Sequence, residues 1–189
     1  MSYNYFSATH DIMPLITETS SMMKVMPTIV NFYVKGPASM DILIDLIGQD
    51  KFNAYTRAFM NAWAWKHPTP YDFFYFINRS EGENLNWFWD AWFFNYGYPD
   101  LAISGAEQSD QYLKVEISNV GGLPVPFNLI LNDDYGNEID ESFGVDIWEN
   151  NLRKTVVRIP VTAIIKNVTI DDTYSYDANL KNNEFIISE

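Results

Sequence analysis

The sequence predicts an α+β protein in two parts, a helical part over residues 1–100 and a β-sandwich over residues 101–189. Two patterns carry this prediction. Apolar residues recur at helical spacing between residues 37 and 95, which is typical of amphipathic helices. From residue 113 onward apolar and polar residues alternate, and clusters of Asn, Asp and Gly separate the alternating runs. We therefore expect helices to give way to strands near residue 100.

Two amphipathic helices are expected first. Residues 37–47 form one of them, and its apolar face and left-handed glycine cap are Met40, Leu43, Ile44, Ile47 and Gly48. Asp50 opens the second helix, which ends before Pro68 and carries the aromatic stripe Phe52, Tyr55, Phe59 and Trp63. Ahead of both, residues 20–26 could form a short helix that Pro27 interrupts.

Two more helices follow, and both have recognisable starts. Thr69-Pro70-Tyr71-Asp72 is a capping-box pattern, with Thr69 as the N-cap and an acid at the third helical position. Asn84 is the expected N-cap of the fourth helix, which Gly97 and Pro99 end. Helical spacing places its bulky side chains on one wide face, so we expect core rather than a carbohydrate-binding platform from Leu85, Phe88, Trp89, Trp92 and Phe93.

The alternation of apolar and polar residues in the second part predicts six to eight short strands, a number typical of a β-sandwich. The alternating runs fall at residues 113–117, 127–131, 143–147, 155–159, 168–170 and 185–187. Residues 133–137 are a strong turn signal. The acidic pairs Asp133-Asp134 and Asp171-Asp172 offer oxygens to calcium, but they lack the spacing of an EF-hand loop, and solvated turns are expected instead.

Composition excludes several classes of protein. The chain is 47% hydrophobic and 16% aromatic, so it can bury a sizeable core. Its formal net charge is -13, and its 12 Lys and Arg are scattered, which argues against binding of nucleic acid or of an anionic membrane surface. The absence of cysteine excludes disulfides and thiolate zinc sites. We expect no signal peptide and no membrane span, because no apolar run approaches the roughly 18 residues that a membrane helix needs.

Short motifs occur in a fixed order in the helical part. Tyr33-Val34-Lys35-Gly36 precedes the first long helix, and Asp72-Phe73-Phe74 falls within the third. A third motif, Gly-x-x-Leu-x-x-Phe-x-x-x-Trp, is formed by Gly82, Leu85, Phe88 and Trp92. This order resembles the segment that follows the zinc site in the alanyl-aminopeptidase family of gluzincin metallopeptidases. The resemblance covers residues 29–100 and implies the helical tail of a bacterial peptidase's catalytic domain, followed by an immunoglobulin-like β-sandwich.

The resemblance implies one catalytic residue, Tyr33. In that family the tyrosine of this motif points its hydroxyl at the scissile carbonyl, on the side opposite the zinc. A phenol is protonated at neutral pH, so it can donate a hydrogen bond to a developing oxyanion. The alternative is that Tyr33 is a packed aromatic residue near a helix start. Lys35 and Gly36 are expected to be structural, with Gly36 permitting the close approach of a neighbouring element.

The chain offers no zinc site of the gluzincin kind. Such a site needs His-Glu-x-x-His on one helix, so that two imidazoles four residues apart share a face. The two histidines, His10 and His67, are far apart in the sequence, and His10 with Asp11 could make at most an incidental metal contact. The family's Gly-x-Met-Glu-Asn motif is absent as well. We therefore expect no metal or cofactor in this chain, with zinc belonging to the parent enzyme.

These observations favour a fragment of a zinc-dependent aminopeptidase, which releases N-terminal residues from peptides and is inactive without its zinc-binding half. Its partner would be that missing N-terminal half, docked on an exposed apolar or aromatic patch of the helical part, or a second copy through the same patch. The parent would take a peptide substrate. The alternative is a stand-alone, non-catalytic binding module on a degenerate peptidase scaffold. A sugar-binding sandwich is weaker, because Trp148 is the only tryptophan after residue 100. The parent's compartment stays open between periplasmic or secreted and cytoplasmic.

Overall fold

The computed structural model describes residues 12–22, 25–171 and 177–187. His10, Asp11 and Asp172 lie outside the described residues, and the short helix expected over residues 20–26 is only partly within them. The contacts divide the chain into two compact units, one formed by Met13–Tyr96 and the other including Gly97–Glu189. Each unit is described by itself below.

The unit Met13–Tyr96 is helical. In its described residues, a 3-10 turn at Thr19–Ser21 is followed by helices α1 (Val25–Val30), α2 (Gly36–Ile47), α3 (Gln49–Trp63), α4 (Pro70–Glu81) and α5 (Asn86–Trp89). Two segments of wider, π-helical geometry interrupt this series. Asn31–Lys35 joins α1 to α2, and Asp90–Phe94 continues α5. The best-buried side chains come from α2, α4, α5 and the segment after α5: Ile42, Leu43, Ile77, Phe88 and Trp92.

Helix α4 begins as its sequence predicts. The backbone N–H of Thr69 donates to the Asp72 carboxylate over 2.7 Å, and the Thr69 hydroxyl donates to the same oxygen over 2.7 Å. In return the Thr69 side chain receives the backbone N–H of Asp72, so the capping box is confirmed. These hydrogen bonds from Thr69 hold the pKa of Asp72 below its ordinary value. At the other end Gly82 adopts the left-handed conformation, with φ +80°, that a helix C-cap favours.

We expect Thr69→Ala to lower the free energy of unfolding by about 1 kcal/mol, because the first turn of α4 loses its cap. Thr69→Ser is the matched control and should retain most of the stability, since its hydroxyl can make the same bond. Urea unfolding of the three proteins at neutral pH measures the difference. An alanine variant as stable as the original chain would show that the cap contributes nothing here.

Two details of the helical unit differ from the sequence predictions. Gly48 has a positive φ of +89°, which favours glycine, but its ψ of 142° lies outside the left-handed helical region expected for the cap of α2. Leu85, not Asn84, occupies the N-cap position of α5, although the Asn84 side chain still accepts the backbone N–H of Asn86 over 3.0 Å. The wide apolar face expected here is confirmed as core at four of its five positions, which are buried: Leu85, Phe88, Trp89 and Trp92. The fifth residue, Phe93, is only partly buried.

The unit that includes Gly97–Glu189 contains two antiparallel sheets in its described residues. One sheet has the order β1-β2-β5 and the other the order β4-β3-β6-β7. The strands are β1 (Leu101–Gln108), β2 (Tyr112–Asn119), β3 (Phe127–Asp133), β4 (Glu138–Phe143), β5 (Lys154–Pro160), β6 (Ile165–Asp171) and β7 (Glu184–Ile186). Alternate side chains of β2 and β3 are buried, as a two-residue period requires. The predicted α+β class is therefore confirmed.

Two features of the strand unit were not predicted correctly. The strand expected over residues 143–147 is wrong, because β4 ends at Phe143 and Val145–Trp148 forms a 3-10 turn. This turn buries Trp148, whose indole N–H donates to the Val125 carbonyl over 2.9 Å. Strand β1 was missed altogether. No helix in the described part of the chain is long and apolar enough to cross a membrane.

Candidate active site

Tyr33 lies in the middle of the π-helical segment Asn31–Lys35. Such segments are rare and widen one helical turn, and they are frequent at functional sites. The Tyr33 side chain is 77% exposed, so it is not a packed core aromatic of this unit. Its hydroxyl has no hydrogen-bond partner among residues 12–22, 25–171 and 177–187. The phenol is therefore available to a group from outside the described residues.

Buried polar side chains fix the segment on both sides of Tyr33. Asn31 is buried, and its Nδ2 donates to the Pro14 carbonyl over 3.2 Å. The Lys35 ammonium is fully buried and donates to two carbonyls, those of Met13 at 3.3 Å and Asn95 at 3.1 Å. These bonds attach the segment to Met13 and Pro14, which precede the helices in the sequence, and to Asn95, which follows them. Tyr33 thus projects from a turn that is held in place rather than from a loose loop.

Lys35 is an unusual group for a helical core. Burial lowers the pKa of its side chain from 10.5 to about 8, because a low-dielectric interior disfavours the charged form. At neutral pH the amine is still mainly protonated, and two of its three N–H donors are used by the carbonyls. No carboxylate pairs with it in the described part of the chain. Its expected structural role agrees with these contacts, but its burial was not foreseen.

Gly36 makes a close approach, though not to a neighbouring helix as expected. A side-chain carbon at this position would lie 3.0 Å from the Asn31 carbonyl, which belongs to the adjoining π-helical turn. The Gly36 backbone N–H donates to that same carbonyl. The Ser39 hydroxyl donates to the Gly36 carbonyl over 2.7 Å. The lack of a side chain at Gly36 therefore permits close packing within the turn that carries Tyr33, and not close packing between two helices.

An apolar face surrounds Tyr33. Four exposed large side chains recur at short spacing along the continuous helical run of α1 and the π-helical segment: Val25, Ile29, Phe32 and Tyr33. We call these four residues the Tyr33 face. An exposed apolar or aromatic patch was expected on the helical part, and these two aliphatic and two aromatic side chains are exposed there. Since Tyr33 belongs to it, any partner that covers the face also brings its own groups next to the phenol.

The described residues do not fit a zinc site. No three His, Cys, Asp or Glu side chains among them are grouped so that they could hold a metal ion. His67 is exposed in the connection between α3 and α4. The chemistry that these residues offer is therefore hydrogen-bond donation by the Tyr33 phenol.

The acidic turn at Asp133 is a structural device and differs from the solvated turn that was expected. Asp133 is buried, and its carboxylate accepts the backbone N–H of Tyr135 at 2.9 Å and of Asn137 at 2.8 Å. The Asn137 side-chain amide also donates to it, over 2.8 Å. This side-chain bond, followed by the backbone bonds, lowers the pKa of Asp133. The carboxylate oxygens of Asp133 are used to stabilise their own turn, so they are not free to bind a cation.

Comparisons with known proteins bear on the fold. No protein-family model matches the chain, and no curated protein matches it. Among solved structures, it is similar to the crystal structure of Legionella pneumophila aminopeptidase A in complex with aspartic acid, with a TM-score of 0.56 and 23% sequence identity. The match covers 75% of this chain and 16% of that chain, so this chain spans a small part of that protein. The chain therefore has an aminopeptidase-like α+β fold.

Proposed function

We propose that this chain is part of a zinc-dependent aminopeptidase that releases N-terminal residues from peptides. In this proposal residues 1–100 are the helical tail of the catalytic domain, and residues 101–189 are an immunoglobulin-like β-sandwich. The observation that carries it is the exposed Tyr33, which projects from a turn held by buried Asn31 and Lys35. The likeness in fold to an aminopeptidase and the order of the motifs support it.

The proposed role of Tyr33 is to donate a hydrogen bond to the scissile carbonyl as negative charge develops on its oxygen. A donor that meets this charge mainly in the transition state lowers the barrier without tightening substrate binding. Lys35 and Asn31 keep the turn in place, so the phenol need not be reorganised during the reaction. Metal chemistry would come from residues that this chain does not contain.

The Tyr33 face is the proposed docking surface for the zinc-binding half of the enzyme. Exposed Val25, Ile29 and Phe32 offer apolar area to a partner, and burying such area is favourable. A partner on this face would place substrate-binding groups beside the phenol. A second copy of the chain could cover the same face when the other half is missing. Light scattering over a range of protein concentrations separates a monomer from such a self-associated species.

We expect the chain alone to bind no stoichiometric zinc and to leave amino-acid arylamides intact, because its histidines cannot form the required pair. Metal analysis after dialysis against zinc, with an arylamide assay on the same sample, checks both expectations. The complete protein should be positive in both tests. One tightly held zinc per copy of this chain, or hydrolysis above blank, would overturn the assignment of the zinc site to another segment.

A second candidate is a stand-alone, non-catalytic binding module that keeps the peptidase scaffold. The lack of a metal-ligand group in the described part of the chain favours it, together with the exposed Tyr33 face. The coding sequence upstream of this chain distinguishes the two candidates. An in-frame His-Glu-x-x-His supports the enzyme, whereas a genuine start codon with no such motif supports the binding module.

A further inference from the structure

A second site lies away from the Tyr33 face, in a cleft of about 290 Å³ between α4 and α5. Its volume is at the lower end of the range for ligand pockets, so it suits a group the size of one side chain rather than a large ligand. Aromatic rings line most of the cleft, and two polar side chains, Asn86 and Asp90, complete the lining on the opposite side. We call it the aromatic cleft.

The first wall and the floor of the aromatic cleft present ring surface. Tyr71 and Tyr75 lie one turn apart on α4, and they are 48% and 68% exposed. Between them Phe74 is buried and stacks on Trp89 with 4.7 Å between ring centroids. The Trp89 indole N–H donates to the Asn78 side chain over 2.7 Å, so its polar edge is already satisfied. What remains for a ligand on this side is the aromatic surface and the two phenols.

The second wall supplies a negative charge. Asn86 and Asp90 lie one helical turn apart, on α5 and on the first position after it. The Asp90 carboxylate accepts the side-chain amide of Asn95 over 3.0 Å and is otherwise exposed. Within the ranges that the structure describes, no Lys, Arg or His forms an ion pair with Asp90. An exposed carboxylate thus stands beside exposed rings with no cation to neutralise it.

We infer that the aromatic cleft binds an organic cation, an ammonium or guanidinium group carried by a peptide side chain or by a free amine. Aromatic faces attract cations, and a neighbouring carboxylate adds direct charge complementarity. The net charge of -13 favours cations over anions at longer range as well. A neutral guest of the same shape would gain less from Asp90, because a hydrogen bond between a neutral donor and a carboxylate is weaker than one from a cation. This inference does not depend on the proposed aminopeptidase function.

The test is titration of the chain with N-acetyl-L-arginine amide, monitored by tryptophan fluorescence and by NMR shifts. N-acetyl-L-citrulline amide is the matched neutral probe, since it keeps the shape and lacks the guanidinium charge, and acetylation removes the α-ammonium from both probes. We expect the arginine amide to bind in the millimolar range and the citrulline amide to bind at least about fivefold more weakly. An N-acetylated, C-amidated tetrapeptide with one internal arginine, compared with the arginine amide, shows whether the peptide backbone adds affinity or the cation alone is recognised.

Two variants assign the binding to the cleft. Asp90→Asn removes the charge but keeps an acceptor for Asn95, and Tyr75→Leu removes an exposed ring; each should weaken arginine-amide binding about fivefold. Tyr96→Leu is the control, because Tyr96 is equally exposed and does not line the cleft. It should leave binding unchanged. Equal binding of the charged and neutral amides, or insensitivity to both cleft variants, would overturn the inference.

Discussion

Tyr33→Phe should lower the kcat of the proposed parent aminopeptidase on the order of 100- to 1000-fold, which corresponds to about 3–4 kcal/mol, with little change in KM. The phenol is proposed to donate to an oxyanion that exists chiefly in the transition state, so its loss affects the barrier rather than ground-state binding. Steady-state kinetics with an amino-acid arylamide, at equal zinc content in the two proteins, measures the effect. The zinc content itself should not change, because the phenol is not a ligand in this proposal.

The structure supplies a control for this substitution. Tyr135 is 81% exposed at a turn of the strand unit, so Tyr135→Phe removes an equally accessible hydroxyl away from the motif. This variant should keep the full kcat. Tyr33→Phe should also leave stability nearly unchanged, since the exposed hydroxyl has no partner among the described residues. A Tyr33→Phe enzyme with near-normal kcat would show that Tyr33 has no catalytic role and is only part of the apolar Tyr33 face.

The second large effect concerns Lys35. The free energy of unfolding should rise by roughly 2 kcal/mol between pH 7 and pH 9.5, apart from the contributions of other groups. The pKa of Lys35 is about 8 in the folded chain against an ordinary value of 10.5, so the unfolded state binds more protons between these values. Raising the pH through this window therefore favours the folded state. Well below pH 8 the amine is protonated in both states, so the full free-energy cost of burying its charge lowers the stability of the folded chain.

Lys35→Met isolates this contribution, because methionine fills a similar volume and does not titrate. The rise in stability between pH 7 and pH 9.5 should be smaller in the methionine variant by the same roughly 2 kcal/mol. Urea unfolding of both proteins at several pH values gives the difference, and other titrating groups cancel in it. Parallel stability curves for the two proteins would show that Lys35 is not desolvated as its burial indicates.

The parts of the fold that could be predicted from sequence are those encoded by neighbouring residues. The start of helix α4 was predictable because Thr69 and Asp72, three residues apart, form its capping box. The burial of Phe88 and Trp92 followed from their spacing on one helical face. In each case the chemistry that decides the structure lies within about two helical turns.

The parts that escaped prediction depend on distant contacts or on broken patterns. Lys35 is buried because its partners are the carbonyls of Met13 and Asn95, which only the folded chain brings to it. Strand β1 was missed because its pairing register shifts between Ile103 and Gly105, which breaks the alternation of apolar and polar residues. For Tyr33, the residues alone left packing and catalysis open, and only the motif resemblance indicated a catalytic role.

Arylamide hydrolysis by the complete protein, with its zinc content measured on the same sample before and after chelation, tests the central proposal most directly. We predict about one zinc per polypeptide, hydrolysis that is lost on chelation and returns with zinc, and no hydrolysis by residues 1–189 alone. A complete protein that is correctly folded yet holds no zinc and releases no N-terminal residue would contradict the account and leave the binding module as the better description.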